Sequence, residues 1–218
     1  MDIEMLERTV LFRGMCDEEV TAALNSLAAT VKVFEKDEII LHAGDIIDTM
    51  GLVLEGSVRI ENNDMWGNRA ILSHIGVGQV FAETYAMVKG EALLVDAAAN
   101  QDCRVLLLKI GALNDPYSDA PLWRFKLISN ILNISMRKNL ILSGRIFHTS
   151  PKTIRGRVMS YLSSISLQEG ADEFDIPFDR QQLADYLNVE RTALSKELGR
   201  MQRDGLITVR KNHFILEP

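Results

Sequence analysis

The amino-acid sequence predicts an α+β protein with an all-β N-terminal domain, one long helix and a C-terminal winged helix-turn-helix domain. Three observations support this prediction. Short β-rich runs alternate with turn residues in residues 31–110. Residues 122–146 contain no proline and carry apolar side chains at helical spacing. Residues 179–198 consist of two short amphipathic segments joined by a tight turn, which is typical of a helix-turn-helix.

Length and composition suit one large domain or two small ones. The chain has 218 residues, of which 47% are hydrophobic and 25% charged. We expect a β domain in residues 1–115, a long helix and hinge in residues 116–147, and the winged helix-turn-helix in residues 148–218. The net charge of -6 argues against a surface that is basic throughout. Residues 147–218 carry ten basic and ten acidic side chains, which leaves room for a local basic face.

The cysteine count excludes one cofactor. Cys16 and Cys103 are the only cysteines, and an iron–sulfur cluster of the [4Fe–4S] type needs four thiolates. No signal peptide and no apolar run near 18 residues is visible, so we expect a cytoplasmic protein without a membrane span. In that compartment both cysteines are expected to be free thiols. A redox role for either thiol stays open beside the simpler role of a small apolar side chain.

The N-terminal domain is expected to begin with helices and to continue as a β structure. Residues 4–30 have helical spacing of apolar side chains, with Asp17 as an expected N-cap. The β-rich runs that follow are residues 38–41, 51–54, 58–60, 70–72 and 105–108. Many short strands at this spacing indicate a compact antiparallel sandwich or barrel.

The long helix is wider in its apolar coverage than packing on one core requires. Its predicted length of about 24 residues corresponds to roughly 36 Å. One side is expected to pack on the β domain and another on a second copy of the chain. The residues expected at the dimer contact are Leu127, Ile128, Ile131 and Ile134. The alternative is a helix that packs only on its own β domain.

The C-terminal domain is expected to start at a clear boundary and to end in a wing. Ser150 is a good N-cap, and Pro151 suits the first position of the following helix. Residues 174–178 suggest a short strand. Residues 206–209 and 213–216 suggest a β-hairpin, which is the expected wing.

The second helix of the helix-turn-helix is expected to enter the major groove of DNA. Arg191 can donate two parallel hydrogen bonds to guanine, so it is the leading candidate for reading a base. The residues expected to meet base edges are Arg191, Thr192, Ser195 and Lys196. The residues expected to contact backbone phosphates are Arg180, Gln181, Arg200 and Lys211. The alternative is that these side chains form an ordinary solvated helix face.

Taken together, these features resemble the CRP/FNR family of bacterial transcription regulators. The resemblance covers nearly the whole chain and rests on Lys-Asp-Glu-Ile-Ile at 36–40, Ala-Gly-Asp at 43–45, Val-Leu-Glu-Gly-Ser-Val at 53–58, Gly-Val-Gly-Gln-Val-Phe at 76–81, Arg-Gln-Gln-Leu-Ala at 180–184 and Val-Glu-Arg-Thr-Ala-Leu-Ser-Lys at 189–196. It implies a jelly roll of the cyclic-nucleotide-binding type, a homodimer paired through the long helix, and an inverted-repeat DNA operator. RNA polymerase is a further potential partner. Thr192 stands where cyclic-AMP-type members have glutamate, so the operator sequence is not implied.

The effector is not implied either, because the phosphate-binding residues of the family are absent. Where cyclic-AMP-binding members carry Gly-Glu and then Arg-Ser or Arg-Thr, this chain has Ala82-Glu83 and Leu93-Leu94. These four residues are the expected effector pocket. A buried phosphodiester without a basic partner is costly, which argues against cyclic AMP. An apolar or cationic molecule, or no ligand, remains open. Haem is a further alternative, with axial ligands available from His42, His74, His148, Cys16, Cys103 or a methionine.

The sequence leaves three classes of function to compare. The leading hypothesis is a homodimeric transcription regulator controlled by an effector in its β domain. A constitutive DNA-binding regulator with a vestigial sensor domain is the second. An enzyme is the third, and it is disfavoured because no HExxH, Walker, GxGxxG or Ser/His/Asp pattern appears, nor a metal-binding cluster.

Overall fold

A computed structural model of the chain describes residues 3–63, 69–114 and 120–217. The chain divides into two compact units, Met1–Met136 and Arg137–Pro218. The division falls within the long helix. The predicted boundary between residues 115 and 116 lies outside the described residues, so the three-segment division stays a prediction. Among the described residues, no helix combines the length and the apolar character that crossing a membrane requires.

Two helices open the N-terminal unit, α1 (Ile3–Glu7) and α2 (Asp17–Ser26). The prediction that Asp17 is the N-cap was wrong by one residue. Cys16 has extended backbone angles and is the cap, whereas Asp17 is already helical. The reason is a capping box in which the Cys16 backbone N–H donates to the Glu19 carboxylate at 3.0 Å.

In the described part of the N-terminal unit, eight strands then form two four-stranded antiparallel sheets. Their bounds are β1 (Thr30–Phe34), β2 (Ile39–Leu41), β3 (Met50–Glu55), β4 (Val58–Asn63), β5 (Arg69–Ile75), β6 (Val80–Phe81), β7 (Asp96–Ala99) and β8 (Cys103–Leu108). The strand orders are β1-β8-β3-β6 and β2-β7-β4-β5. This pairing is the jelly roll that the sequence predicts. A short helix, α3 (Glu83–Met87), follows β6, and a 3₁₀ turn (Ile110–Asn114) follows β8.

Close packing inside the jelly roll depends on two glycines. A Cβ atom at Gly51 would lie 2.2 Å from Cζ of the buried Phe81 ring, so the ring packs directly on the β3 backbone. Gly56, in the turn between β3 and β4, has φ +76°, and a Cβ there would lie 2.3 Å from the Asp102 carbonyl oxygen. Glycine is therefore required at both places, for closeness at the first and for closeness and conformation at the second.

The long helix, α4 (Leu122–Thr149), has 28 residues and begins where it was predicted to begin. The dimer contact expected at Leu127, Ile128, Ile131 and Ile134 stays a prediction, but the structure gives these residues contacts within their own chain. Leu127 and Ile131 are buried in the core of their own N-terminal unit, and Ile128 and Ile134 pack against that core. Within the same unit, the apolar side chains that α4 exposes are instead Leu122, Phe125, Leu132 and Met136. Helical spacing alone detected two apolar faces but did not distinguish them.

The C-terminal unit is a winged helix-turn-helix. Its elements are α5 (Ile154–Glu169), β9 (Glu173–Asp175), α6 (Arg180–Tyr186), α7 (Arg191–Arg203), β10 (Ile207–Arg210) and β11 (His213–Leu216). The three strands pair in the order β10-β11-β9, which confirms the predicted wing hairpin and adds β9 to it. Buried side chains from α5, α6, α7 and the strands form one core.

The start of α5 differs from the prediction. The N-cap is Thr153, whose hydroxyl accepts a hydrogen bond from the Gly156 N–H at 3.0 Å. Ser150 instead interacts with the preceding helix, α4, because its hydroxyl donates a hydrogen bond to the Ile146 carbonyl at 2.6 Å. Ser150 therefore helps to end α4, and Pro151 lies in the connection rather than in the first turn of α5.

Candidate nucleic-acid interface

The recognition helix α7 begins with a carboxylate cap. The Glu190 carboxylate accepts hydrogen bonds from the backbone N–H groups of Thr192 and Ala193, both at 2.9 Å. It also accepts a very short hydrogen bond from the Thr192 hydroxyl. This hydroxyl is the main reason that the pKa of Glu190 is lowered, with the two backbone bonds next. The cap was not anticipated from the sequence, although a Glu directly before a helix start was its visible signal.

The structure places the four predicted base-reading residues on one exposed face of α7. Arg191, Thr192, Ser195 and Lys196 are all exposed. The opposite face is buried by Leu194, Leu198 and Met201. The Thr192 hydroxyl is already bonded to Glu190.

Three of the four predicted phosphate contacts lie together beside the start of α7. Arg180, Gln181 and Lys211 line an open groove of about 640 Å³, and Arg191 lines it as well. Lys211 lies in the wing turn with φ +58°, and the Arg180 guanidinium is 3.4 Å from its carbonyl oxygen. The first helix of the motif is fixed at this point by the Asp179–Gln182 capping box. The arrangement combines positive charge from α6, α7 and the wing.

The fourth predicted phosphate contact lies elsewhere. Arg200 is exposed two turns further along α7, and its guanidinium is 3.3 Å from Glu197. Glu197 also binds Arg155 of α5 at 2.8 Å, and Arg155 reaches Asp204 at 2.6 Å. The Arg155 hydrogen bond is the largest cause of the lowered pKa of Glu197. This network ties α7 to α5 and was not predicted, because its members are far apart in sequence.

Two histidines of this unit have opposite surroundings. His213 of the wing lies between Asp175, at 3.0 Å, and Glu173, at 3.1 Å, both on β9. The hydrogen bond that the His213 ring donates to the Asp175 carboxylate is the main cause of the raised pKa of His213. His148, near the end of α4, is buried and lies 2.8 Å from the Tyr186 hydroxyl. Burial lowers the pKa of His148.

These surroundings predict a stability maximum. A raised histidine pKa stabilises the fold below its unfolded value, about 6.5, and this contribution is lost as the pH rises through the raised value. A lowered histidine pKa makes stability fall as the pH drops below about 6.5. The two groups together are expected to make the C-terminal unit most stable near pH 6.5.

NMR can follow the protonation of the two histidines as the pH is lowered. His213 should protonate before His148, and the reverse order would contradict the described contacts. In His213→Gln, the decrease in stability above pH 6.5 should disappear, whereas the decrease below pH 6.5 should remain.

The four predicted effector residues differ in their exposure to solvent. Glu83 is buried, and Ala82 before it has φ +64° and caps α3. Leu93 is buried too, and its backbone pairs with Gly44 and Asp45. Leu94, however, is 76% exposed, so the effector pocket that includes it stays a prediction. A left-handed backbone at Ala82 allows the chain to turn directly into α3.

The jelly roll contains a buried arginine, Arg59, that the sequence analysis did not predict. Arg59 on β4 is 4% exposed and binds Glu61 at 2.5 Å, Asp37 at 2.8 Å and the Ala99 carbonyl at 2.6 Å. Its signal was the Arg-x-Glu spacing within a strand, which places opposite charges on one face. A phosphodiester could use this guanidinium only by displacing carboxylates that already neutralise it.

Other candidate cofactor ligands can be placed as well. Cys16 is exposed, whereas Cys103 is buried, and burial raises the pKa of the Cys103 thiol and so disfavours the reactive thiolate. Within residues 3–63, 69–114 and 120–217, no group of three or more histidine, cysteine or acidic side chains is arranged to hold a metal ion.

Comparison with known protein families agrees with both units. Residues 31–117 match the cyclic nucleotide-binding domain family, and residues 156–218 match the Crp-like helix-turn-helix domain family. Together with the exposed face of α7, these matches define a transcription regulator with a DNA-binding helix-turn-helix. The chain belongs to the CRP/FNR family. Members of this family are transcription regulators and not enzymes.

Relatives with known names cover most of the chain. The transcriptional activator protein FnrL of Cereibacter sphaeroides is 23% identical over 99% of this chain and 86% of its own length. The nitrogen fixation regulation protein FixK of Azorhizobium caulinodans is 26% identical over 94% of this chain and 82% of its own length. Among solved structures, CprK in complex with OCPA matches with a TM-score of 0.62 at 16% identity, over 88% of each chain. At that identity the structural match supports the fold alone.

Proposed function

We propose that the chain is a homodimeric regulator in the cytoplasm, that it binds an inverted-repeat DNA operator, and that an effector other than cyclic AMP controls it. The observation that carries the DNA part is the exposed face of α7 beside the groove that Arg180, Gln181 and Lys211 line. A helix that presents polar side chains in its first turns suits base edges, and flanking basic residues suit phosphates. RNA polymerase is a further partner consistent with this role.

Pairing of two chains is supported by the exposed side of α4. Regulators of this family act as dimers. In the N-terminal unit, Phe125, Leu132 and Met136 are exposed at spacings of seven and four residues, which align them along one side of a helix. Contact with the same side of a second α4 would remove this apolar stripe from water. Two recognition helices related by a two-fold axis would then meet half-sites about one DNA turn apart.

Control by a molecule other than cyclic AMP is supported by the lack of a basic side chain for a phosphate among the four expected effector residues. Arg59 is already bonded to two carboxylates, and Leu93 and Leu94 stand where cyclic-AMP-binding members carry Arg-Ser or Arg-Thr. The second candidate is a constitutive regulator. Operator affinity of aerobically and anaerobically purified protein, with and without a metabolite extract, separates the two. Unchanged affinity throughout would support the constitutive regulator, and an absorbance spectrum tests haem.

Arg191→Ala tests the DNA-reading role. We expect it to weaken binding to a duplex selected from random sequence on the wild-type protein by about 1–3 kcal/mol, because a bidentate contact to one base is lost. Preference at one base pair of the half-site should relax. The measurement is fluorescence anisotropy on the selected duplex and on a scrambled one.

Arg200→Ala is the matched control on the same helix. As a phosphate contact, Arg200 should affect both duplexes alike and reduce the slope of log affinity against log salt by about one unit. If Arg191→Ala also weakens both duplexes equally, Arg191 contacts only the backbone. If the wild-type protein selects no sequence at all, the proposed function is wrong.

A further inference from the structure

The turn between α6 and α7 is held by two arginine side chains from outside the helix-turn-helix. Arg145, near the end of α4, donates to the carbonyl oxygens of Asp185 at 2.8 Å and Tyr186 at 3.0 Å. Arg157 of α5 donates to the carbonyl oxygens of Leu187 at 3.1 Å and Asn188 at 2.9 Å. Four consecutive carbonyl groups, at residues 185–188, therefore accept hydrogen bonds from two guanidinium groups. We call Arg145 and Arg157 the arginine clamp.

Elementary helix chemistry explains why this place needs cations. The last carbonyl groups of a helix have no partner within it, and the negative end of the helix dipole lies there. With seven residues, α6 is too short to hold this end by itself. The chain must also turn sharply, and Asn188 does so with φ +53°. A planar guanidinium can donate to two adjacent carbonyls at once, which lysine cannot do in the same geometry.

The clamp connects the turn to elements that lie before the helix-turn-helix. Arg145 also lies over the Tyr186 ring, with its central carbon 5.7 Å from the ring centre. Arg157 makes a third bond, from Nε to the Pro151 carbonyl at 2.9 Å. The end of α4, the connection at Pro151 and the turn before α7 are thus joined through two side chains. All of these contacts lie within the C-terminal unit.

We infer that Arg145 and Arg157 are positioning residues for DNA recognition. They fix the turn that precedes Glu190, the cap of α7, and so set where Arg191 and its neighbours point. This inference rests on the proposed function. Neither residue is expected to touch DNA, because the described hydrogen bonds of both guanidinium groups point at internal carbonyls. A change at the end of α4 would reach the recognition helix through Arg145, whereas Arg157 would hold the turn to α5.

Hydrogen exchange on the full-length protein tests the clamp without DNA. Arg145→Gln and Arg157→Gln should each make the amides of Leu187 and Val189 exchange about tenfold faster, because the turn opens locally. Amides in the middle of α7 should keep their protection. Arg137→Gln, at an exposed arginine of the same long helix, is the matched control and should change neither. Unchanged exchange at both amides in both clamp variants would overturn the inference, whatever the DNA result.

DNA binding by the same variants tests the positioning role. Affinity for the selected duplex should fall about tenfold, equivalent to about 1.4 kcal/mol, while affinity for a scrambled duplex and the salt slope stay near wild type. Arg145→Lys and Arg157→Lys should rescue only part of the loss, and they serve as the folded variants if a glutamine variant does not fold. Equal losses on both duplexes with a smaller salt slope would mean direct phosphate contact and would overturn the inference. A wild-type protein without sequence preference would overturn the proposed function and the DNA role of the clamp, while exchange would still judge the clamp itself.

Discussion

Gly56→Ala is expected to destabilise the N-terminal unit by about 2–5 kcal/mol. The left-handed backbone at this position costs an alanine about 1–2 kcal/mol. The added Cβ would also lie 2.3 Å from the Asp102 carbonyl oxygen and 2.8 Å from Cβ of Cys103, so β3 and β8 must separate at this end. Overpacking of this kind typically costs a further 1–3 kcal/mol. Urea unfolding at fixed protein concentration measures the change.

Gly78→Ala separates the two causes. Gly78 has φ +78°, but a Cβ there would meet no atom within 4 Å. Gly78→Ala should therefore lower the free energy of unfolding only by the cost of the left-handed backbone, about 1–2 kcal/mol. Equal losses for Gly56→Ala and Gly78→Ala would show that the contact with Asp102 relaxes without cost.

Leu127→Ala is expected to lower the free energy of unfolding by about 2–5 kcal/mol, because it empties space in the core of the N-terminal unit. Leu127 is fully buried there, and Trp123 and Ile131 are buried beside it.

Leu132 on the same helix is 56% exposed in the single chain, so Leu132→Asp should leave a folded chain. If the exposed stripe pairs two chains, Leu132→Asp should shift the protein from dimer to monomer in sedimentation velocity. Loss of the dimer in Leu127→Ala without loss of stability would instead support the predicted dimer contact at Leu127.

Local sequence patterns predicted most of the secondary structure. They did not predict which surface each apolar face packs against. The helix-turn-helix was legible because Leu183, Leu194 and Leu198 recur at helical spacing around a short turn. The predicted β-rich runs correspond to β2, β3, β4, β5 and β8, because turn residues separate them, whereas β1, β6 and β7 were not among these runs. The two apolar faces of α4 were not distinguished, since spacing shows that Leu127 and Leu132 lie on different sides but not which side meets a core.

The candidate site shows the same limit. The exposed face of α7 follows from periodicity, so Arg191, Ser195 and Lys196 could be chosen from the sequence. The arginine clamp could not, because Arg145 lies 40 residues before the carbonyl of Asp185 that it binds. The start of α5 was misplaced because Ser150 and Thr153 are both good caps, and only the structure shows that Ser150 bonds back to Ile146.

The carboxylate of Glu190 has a consequence for how DNA can approach. The free N–H groups at the start of a helix normally attract an anion, and in many proteins this anion is a phosphate. In α7 the Glu190 side chain already occupies that place, bonded to Thr192 and Ala193. If α7 binds DNA as proposed, a DNA strand would meet the negative charge of Glu190 there, and its phosphates would be repelled from the tip of the helix. The chain would then compete with DNA for its own anion site, and this competition would leave the first turn of α7 to the bases.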